Sequence, residues 1–230
     1  MSATSATVLC VCTANVCRSP AAELLIRSGL RRRLGTETAS GAFTVRSAGI
    51  WATPGRPVEP GTATALRAHG VTAADVAAAS STALRRDAVA GADLVVAAAA
   101  EHVRGVWRLQ LAARHRTFTL GELSRLSEAV DPALLPEEPP ERLRVLVSAA
   151  DAIRDARRAP GGPYVTEAYD LEDPTDNDPA QRHMVEQTVY LIDQVLDLVA
   201  GPVLVPDRLP WPRRAVQWSR SRRARGGLSR

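Results

Sequence analysis

All three cysteines of the chain lie within eight positions, in the segment VLCVCTANVCRSP at residues 8–20. Arg18 follows Cys12 by six positions, and the pair Ser19-Pro20 comes next. The apolar residues before Cys12 are typical of a buried strand, and a Ser-Pro pair is typical of a helix start. A loop between a strand and a helix lies at the carboxyl edge of a parallel sheet, where ligands bind. We therefore expect Cys12 and Arg18 to face the same ligand.

The chemistry of this loop follows from its residue types. Backbone N–H groups in a tight loop, together with the positive end of the following helix, bind an anion. The same environment stabilises a thiolate, which makes Cys12 a candidate nucleophile. The planar guanidinium of Arg18 can hold two oxygens of a phosphate. The predicted phosphate-binding loop contains Thr13, Ala14, Asn15, Val16, Cys17, Arg18 and Ser19.

Hydrophobic periodicity along the chain predicts an alternation of strands and helices. The expected strands cover residues 6–12, 43–48, 93–99 and 116–120, and the expected helices cover residues 19–34, 61–69, 101–111, 122–130, 141–157 and 179–199. Ser19 would be the N-cap of the first helix and Pro20 its first residue. Such an alternation indicates an α/β fold, with a mainly parallel sheet and helices on both faces.

Length and composition indicate one domain with an extension. The chain has 230 residues, of which 45% are hydrophobic, enough for one sizeable core. We expect a folded domain over residues 1–200 and a flexible, arginine-rich tail over residues 201–230. Residues 211–230 hold seven arginines and no acidic residue, which accounts for the net charge of +4. A solvated extension is the more common use of such a tail, so nucleic acid is not an expected partner.

Composition also argues against several classes of function. The chain contains no lysine, which excludes a lysine Schiff base. No apolar run approaches the roughly 18 to 20 residues that cross a bilayer, and residues 1–7 do not resemble a secretory signal, so membrane insertion is not expected. The four histidines lack metal-ligand spacing, so we expect no metal and no cofactor. Three cysteines do not make a secreted disulfide framework, and we expect a cytoplasmic protein with reduced thiols.

Ten consecutive residues, VCTANVCRSP at 11–20, resemble the signature loop of the low-molecular-weight protein tyrosine phosphatases. Looser matches are SAG at 47–49, ADL at 92–94 and DLEDP at 170–174. The resemblance spans about residues 7–199. It implies a four-stranded parallel sheet with helices on both faces. It also implies metal-free hydrolysis of phosphomonoesters through a phosphocysteine intermediate, with phosphotyrosine in a phosphorylated protein as the expected substrate.

The resemblance assigns a role to each reactive side chain. Cys12 would attack phosphorus, and Arg18 would bind the phosphoryl oxygens. Ser19 would donate a hydrogen bond to the thiolate. Asp173, the acid of the Asp-Pro pair, would lie over the mouth of the loop and protonate the leaving oxygen.

The resemblance also implies structural roles for residues around the loop. Asn15 would hold the loop through a bond to Ser47. A histidine at the place of His69 pairs in the family with a glutamate of the first helix, here Glu23, in a structural role. Ala14 stands where the family usually has glycine, so the loop must either avoid a positive φ there or tolerate some strain.

Three positions bear on the substrate. Trp51 is expected in a loop that overhangs the cleft, where its ring would stack on a substrate ring; core packing is the equal alternative. Val16 stands where relatives that resemble protein arginine phosphatases have threonine, and it favours phosphotyrosine. Thr175 and Asp176 follow Pro174 where relatives carry an aromatic residue that walls the cleft, so the preference for tyrosine is less secure than the phosphatase chemistry.

Three alternative functions remain open. A protein arginine phosphatase is one, and an arsenate reductase on the same fold is another. The reductase needs resolving thiols, and no cysteine follows Cys17. The third is a phosphate-binding or partner-binding module without turnover.

Cys17 itself is expected to form a reversible disulfide with Cys12 after mild oxidation, and filling the space under the loop is its alternative role.

Overall fold

A parallel sheet forms the centre of the molecule. A computed structural model describes residues 5–159, 162, 164–174 and 177–203. These residues form four strands, β1 (Ala6–Cys12), β2 (Phe43–Gly49), β3 (Leu94–Ala97) and β4 (Thr117–Thr119). All pairings are parallel, in the order β2-β1-β3-β4. The expected four-stranded parallel sheet is confirmed, and β1 lies where the chain changes from one side of the sheet to the other, which is where such folds bind ligands.

Helices cover both faces of this sheet, as expected. They are α1 (Arg18–Leu34), α2 (Thr36–Ala42), α3 (Pro60–Ala68), α4 (Ala73–Ala78), α5 (Arg86–Ala90), α6 (Ala100–Leu109), α7 (Leu120–Ser127), α8 (Pro139–Arg157) and α9 (Asp178–Ala200). Successive residues of β1 point to opposite faces. Val8 and Cys10 join the larger core, which contains α1 and α9, while Leu9 and Val11 join a smaller core formed with α5 and α6.

The last helix is part of the main core. It packs against α1, α3 and α7, and its residues Val195 and Val199 are buried. Gly29 of α1 permits the close approach of the two helices, because a Cβ atom there would lie 2.5 Å from Leu196 Cδ1. The chain therefore remains within one core as far as Ala200.

Several boundaries differ from the prediction. Helix α1 begins at Arg18 with Cys17 in the N-cap position, so Ser19 was wrongly predicted as the cap. The Ser19 hydroxyl contacts Cys12 Sγ instead. Helix α6 ends at Leu109 and is followed by a 3-10 turn over Leu111–Arg116. Helices α2, α4 and α5 were not predicted, because five to seven residues are too few to show a 3.6-residue period.

Part of the sequence lies outside this description. The predicted arginine-rich tail starts at residue 201, and its residues 204–230 are outside the described part of the chain. Thr175 and Asp176 are outside it as well. Within the described part, no helix combines the length and the apolar character that crossing a membrane requires.

Candidate active site

The loop between β1 and α1 surrounds the thiol of Cys12 with hydrogen-bond donors. The backbone N–H of Asn15 donates to Cys12 Sγ at 3.3 Å, and Ser19 Oγ lies 2.9 Å from the same sulfur. Ser19 Oγ accepts a bond from Asn15 Nδ2 at 2.8 Å, so its own proton can be donated, and the sulfur at 2.9 Å is a closer acceptor than Ala48 O at 3.4 Å. Such donors stabilise a thiolate over a thiol. The Asn15 N–H and the Ser19 hydroxyl are thus placed to form hydrogen bonds with the buried sulfur of Cys12.

Asn15 holds the loop to the rest of the fold. Its Nδ2 donates to Ser47 Oγ at 2.9 Å, and its Oδ1 accepts from the backbone N–H of Thr82 at 2.7 Å. Ser47 in turn donates to Glu23 Oε2 at 2.6 Å. The residue is buried and adopts a φ of 57°, a left-handed conformation that asparagine tolerates better than most residues. The hydrogen bonds therefore require the asparagine side chain here, and the backbone favours asparagine over most residues that carry a Cβ atom.

The residues that follow β2 also form hydrogen bonds with this loop. The backbone N–H of Ile50 donates to Cys12 O, and that of Trp51 donates to Thr13 O, both at 2.9 Å. A Cβ atom on Gly49 would lie 2.6 Å from Thr13 O, so only glycine allows this approach. Ala14 is not among the described residues with positive φ, so its place in the loop requires no strained backbone.

The side chain of Arg18 links the loop to Asp173. Arg18 is 5% exposed, and its Nη2 donates to Thr13 Oγ1 at 3.3 Å. The same Nη2 lies 2.9 Å from Asp173 Oδ1, on a side chain that is 77% exposed. A buried guanidinium that reaches the mouth of the loop is placed to bind an anion there. Asp173 thus lies beside the loop, although 161 positions separate it from Cys12 in the sequence.

The segment that carries Asp173 is attached to the sheet edge. The backbone N–H of Leu171 donates to Ala98 O at 2.8 Å, and Asp170 Oδ1 accepts from the N–H of Ala100 at 2.7 Å. Leu171 is buried. Because Ala98 directly follows β3 and Ala100 begins α6, the segment is fixed at the carboxyl edge of the sheet, next to the end of β1.

A family model described as low molecular weight phosphotyrosine protein phosphatase matches residues 7–134, more than half of the chain. The chain belongs to this family. It is a cysteine-based phosphatase, and Cys12 lies in the region expected for the site. The resemblance read from residues 11–20 is confirmed.

Solved structures of phosphatases share the fold. The low molecular weight protein tyrosine phosphatase from T. tengcongensis has a TM-score of 0.57 at 22% identity, with 84% of this chain and 99% of that chain covered. The YwlE arginine phosphatase from Geobacillus stearothermophilus has a TM-score of 0.56 at 21% identity, covering 84% and 91%. A protein tyrosine phosphatase from Entamoeba histolytica has a TM-score of 0.56 at 14% identity, covering 84% and 94%. No curated protein sequence matches the chain.

Trp51 lies on the surface of this phosphatase. Its indole is 80% exposed, and its backbone N–H donates to the loop at Thr13 O. Core packing, the alternative reading of this residue, is therefore wrong. Val16, in contrast, is buried within the loop, where its carbonyl accepts from the N–H of Glu59 at 3.0 Å.

His102 is a site residue that sequence reasoning missed. It is 1% exposed, and its Nε2 lies 2.9 Å from Thr13 Oγ1. Burial, with the charge of Arg18 as a second cause, lowers the pKa of His102 to about 4. The available signal was its position just past the carboxyl end of a predicted strand. The expected pairing of His69 with Glu23 is wrong, because Glu23 instead accepts from Ser47 and Arg27.

The other two cysteines are less suited to be nucleophiles. Cys10 is buried in the core, and burial raises the pKa of its thiol well above the usual value. Cys17 is partly buried, and burial raises the pKa of its thiol to about 11. All three thiols are free in the structure. Among the residues that the structure describes, no group of three or more His, Cys, Asp or Glu side chains is arranged to hold a metal ion.

Replacing Asn15 with alanine is expected to destabilise the protein by about 2 to 4 kcal/mol, since the variant loses buried side-chain hydrogen bonds and places a Cβ-bearing residue without local partners at positive φ. Asn15→Gly is the matched control. It loses the same bonds but relaxes the backbone, so it should be less destabilised than Asn15→Ala. Urea unfolding of both variants checks this. Wild-type stability in Asn15→Ala would show that the side chain does not support the loop.

Proposed function

We propose that this phosphatase hydrolyses phosphotyrosine in proteins through a phosphocysteine intermediate at Cys12. One observation carries the proposal. The Nη2 atom of the buried Arg18 contacts both Thr13 in the loop and Asp173 at its mouth, which supports a site where the proposed nucleophile, anion ligand and acid lie together. The donors around Cys12 Sγ support its role as the attacking thiolate.

The first chemical step transfers the phosphoryl group to sulfur. The Cys12 thiolate attacks phosphorus while Arg18 and the N–H groups of the loop bind the phosphoryl oxygens. The bond between phosphorus and the ester oxygen breaks, and Asp173 gives that oxygen its proton. The products are the free tyrosine hydroxyl and phosphocysteine.

The second step returns the enzyme to its starting state. Asp173, now a carboxylate, accepts a proton from a water molecule that attacks phosphorus. The bond between phosphorus and sulfur breaks, the thiolate of Cys12 is restored, and inorganic phosphate leaves. The hydrogen bond from Ser19 supports the thiolate both as the attacking group and as the leaving group.

A comparison of three phosphopeptides tests the substrate class. We expect turnover of a phosphotyrosine peptide to exceed that of matched phosphoarginine and phosphoserine peptides. The exposed ring of Trp51 beside the loop and the apolar Val16 inside it support this preference. Preference for phosphoarginine would make the chain an arginine phosphatase. If none of the three peptides and no aryl phosphate were turned over, the result would favour a phosphate-binding or partner-binding module without catalytic activity.

We infer a phosphatase domain over residues 1–200 and a separate arginine-rich tail over residues 201–230. The packing of α9 against α1, α3 and α7 supports a boundary near Ala200. Three free cysteines support a reducing location such as the cytoplasm. Phosphorylated proteins are the proposed partners, and nucleic acid is not one.

We also propose that Cys17 protects the nucleophile from oxidation. Hydrogen peroxide oxidises the Cys12 thiolate to a sulfenic acid and is reduced to hydroxide. The Cys17 thiolate then attacks that sulfur, expels a second hydroxide and leaves a disulfide. An added dithiol supplies the two electrons that restore both thiols. After peroxide and then dithiol, activity should return in the wild type and much less in Cys17→Ser. Equal recovery in the two proteins would remove the protective role.

The pKa of Cys17 makes disulfide formation dependent on pH. Because burial raises this pKa to about 11, the reactive thiolate is a minor species at neutral pH. Its fraction rises about tenfold per pH unit below the pKa. From a preformed sulfenic acid, disulfide formation should therefore be about tenfold faster at pH 8 than at pH 7, followed by trapping free thiols and mass spectrometry. A rate that does not change with pH would contradict attack by Cys17.

A further inference from the structure

The fold brings His102 against the signature loop at Thr13, the residue that Arg18 also contacts. Strand β3 pairs with β1, and the N–H of Ala98 donates to Val11 O at 2.8 Å, so the start of α6 lies beside the end of β1. The imidazole occupies the first turn of α6 and is 1% exposed. Its Nε2 is 2.9 Å from Thr13 Oγ1, which makes the histidine a direct hydrogen-bond partner of the loop.

The surroundings of the imidazole decide which nitrogen carries its proton. The ring is neutral at physiological pH, because burial and Arg18 lower its pKa to about 4. Nε2 faces Thr13 Oγ1 and also lies 3.3 Å from Glu101 Oε1. Nδ1 is buried and has no hydrogen-bond partner among the described residues. A proton on Nδ1 would be an unpaired buried donor and would turn the Nε2 lone pair toward a carboxylate. The proton therefore resides on Nε2, which donates to Thr13.

The hydroxyl of Thr13 connects this histidine to Arg18. Thr13 Oγ1 also accepts from Arg18 Nη2, at 3.3 Å. The second contact of Nη2 is with Asp173, whose side chain is 77% exposed. Arg18 thus has two acceptors. Thr13 Oγ1 is held in place by the buried His102, whereas Asp173 lies at the exposed mouth of the loop. A phosphoryl oxygen can replace the exposed acceptor while the fixed one keeps the guanidinium in place.

We propose that His102 is a positioning residue for phosphate binding, which holds the Thr13 hydroxyl so that it orients the guanidinium of Arg18. The inference rests on the proposed function. An arginine side chain has many rotamers, and a ligand that must first order it loses affinity. The buried imidazole supplies that order before the phosphate arrives. His102 touches no reacting atom, so its effect passes through Thr13.

Direct titration of inorganic phosphate by calorimetry tests the inference on the full chain. His102→Phe and Thr13→Val should each weaken phosphate binding about tenfold, as expected for the loss of one hydrogen bond in an ordered site. The double variant should bind about as well as either single variant, because the two residues act in one chain of contacts. His183→Phe, at an exposed histidine of α9, is the matched control and should bind as the wild type does.

Two amide substitutions give a finer test. His102→Gln places an amide nitrogen near the position of Nε2 and should keep phosphate affinity within about threefold, whereas His102→Asn reaches only the position of Nδ1 and should behave as His102→Phe does. Melting temperatures identify any variant that fails to fold, and Thr13→Val then decides alone. Unchanged phosphate affinity in folded His102→Phe and in Thr13→Val, or losses that add fully in the double variant, would overturn the inference. Absence of aryl phosphate turnover by the wild type would overturn the proposed function instead, and the phosphate titrations would still decide the role of His102.

Discussion

Replacing Cys12 with serine is expected to lower the turnover of an aryl phosphate by at least about three orders of magnitude, because a hydroxyl is far less nucleophilic than a thiolate at neutral pH. Binding of phosphate or vanadate should persist. The substitution leaves the side chain of Arg18 unchanged, and this guanidinium is the proposed ligand of the anion. Steady-state kinetics and a phosphate titration of the same protein sample measure the two effects separately.

The matched control for this variant is Cys10→Ser. Cys10 lies two residues earlier on β1, in the core and on the same face of the sheet as Cys12. It should lose stability through burial of a hydroxyl but retain kcat in the folded fraction. Turnover by Cys12→Ser at the wild-type rate would show that another residue is the nucleophile.

The second large effect is expected for Asp173→Asn. An amide has no proton to give the leaving oxygen, so hydrolysis of a poor leaving group, such as phenyl phosphate, should slow by about two to four orders of magnitude. A nitrophenolate leaves readily without protonation, so the loss for nitrophenyl phosphate should be much smaller. The dependence on the leaving group separates general acid catalysis from a change in binding.

Glu172→Gln is the matched control for the acid. Glu172 is an exposed neighbour of Asp173 on the same segment, and its substitution removes the same charge without removing the proposed proton donor. Its rates should stay within about threefold of the wild type for both substrates. Equal losses for the two leaving groups in Asp173→Asn, or a larger loss in Asp176→Asn, would mean that Asp173 is not the acid.

The sequence alone was sufficient for the loop and the class of fold. Cys12 and Arg18 lie six positions apart between a predicted strand and a predicted helix, and the interactions that shape such a loop are local. Strands β1 and β3 were recognisable as mostly apolar runs, and β1 was predicted with the bounds that the structure has, Ala6–Cys12. The longer helices were placed to within a few residues because each spans several turns, which makes its 3.6-residue period visible in the sequence.

Contacts between distant residues were decided only by the tertiary structure. Asp173 meets Arg18, and His102 meets Thr13, across separations of 155 and 89 positions. His69, at the end of a predicted helix, was given a partner that it does not have, and the position of His102 just past a predicted strand did not identify Thr13 as its partner. The role of Ser19 was likewise ambiguous, because a serine before a proline serves equally well as a helix cap or as a donor to a neighbouring thiol. Local propensity fixes strands, helices and short loops, whereas the order of strands in the sheet determines which of their ends meet, and therefore which side chains form the site.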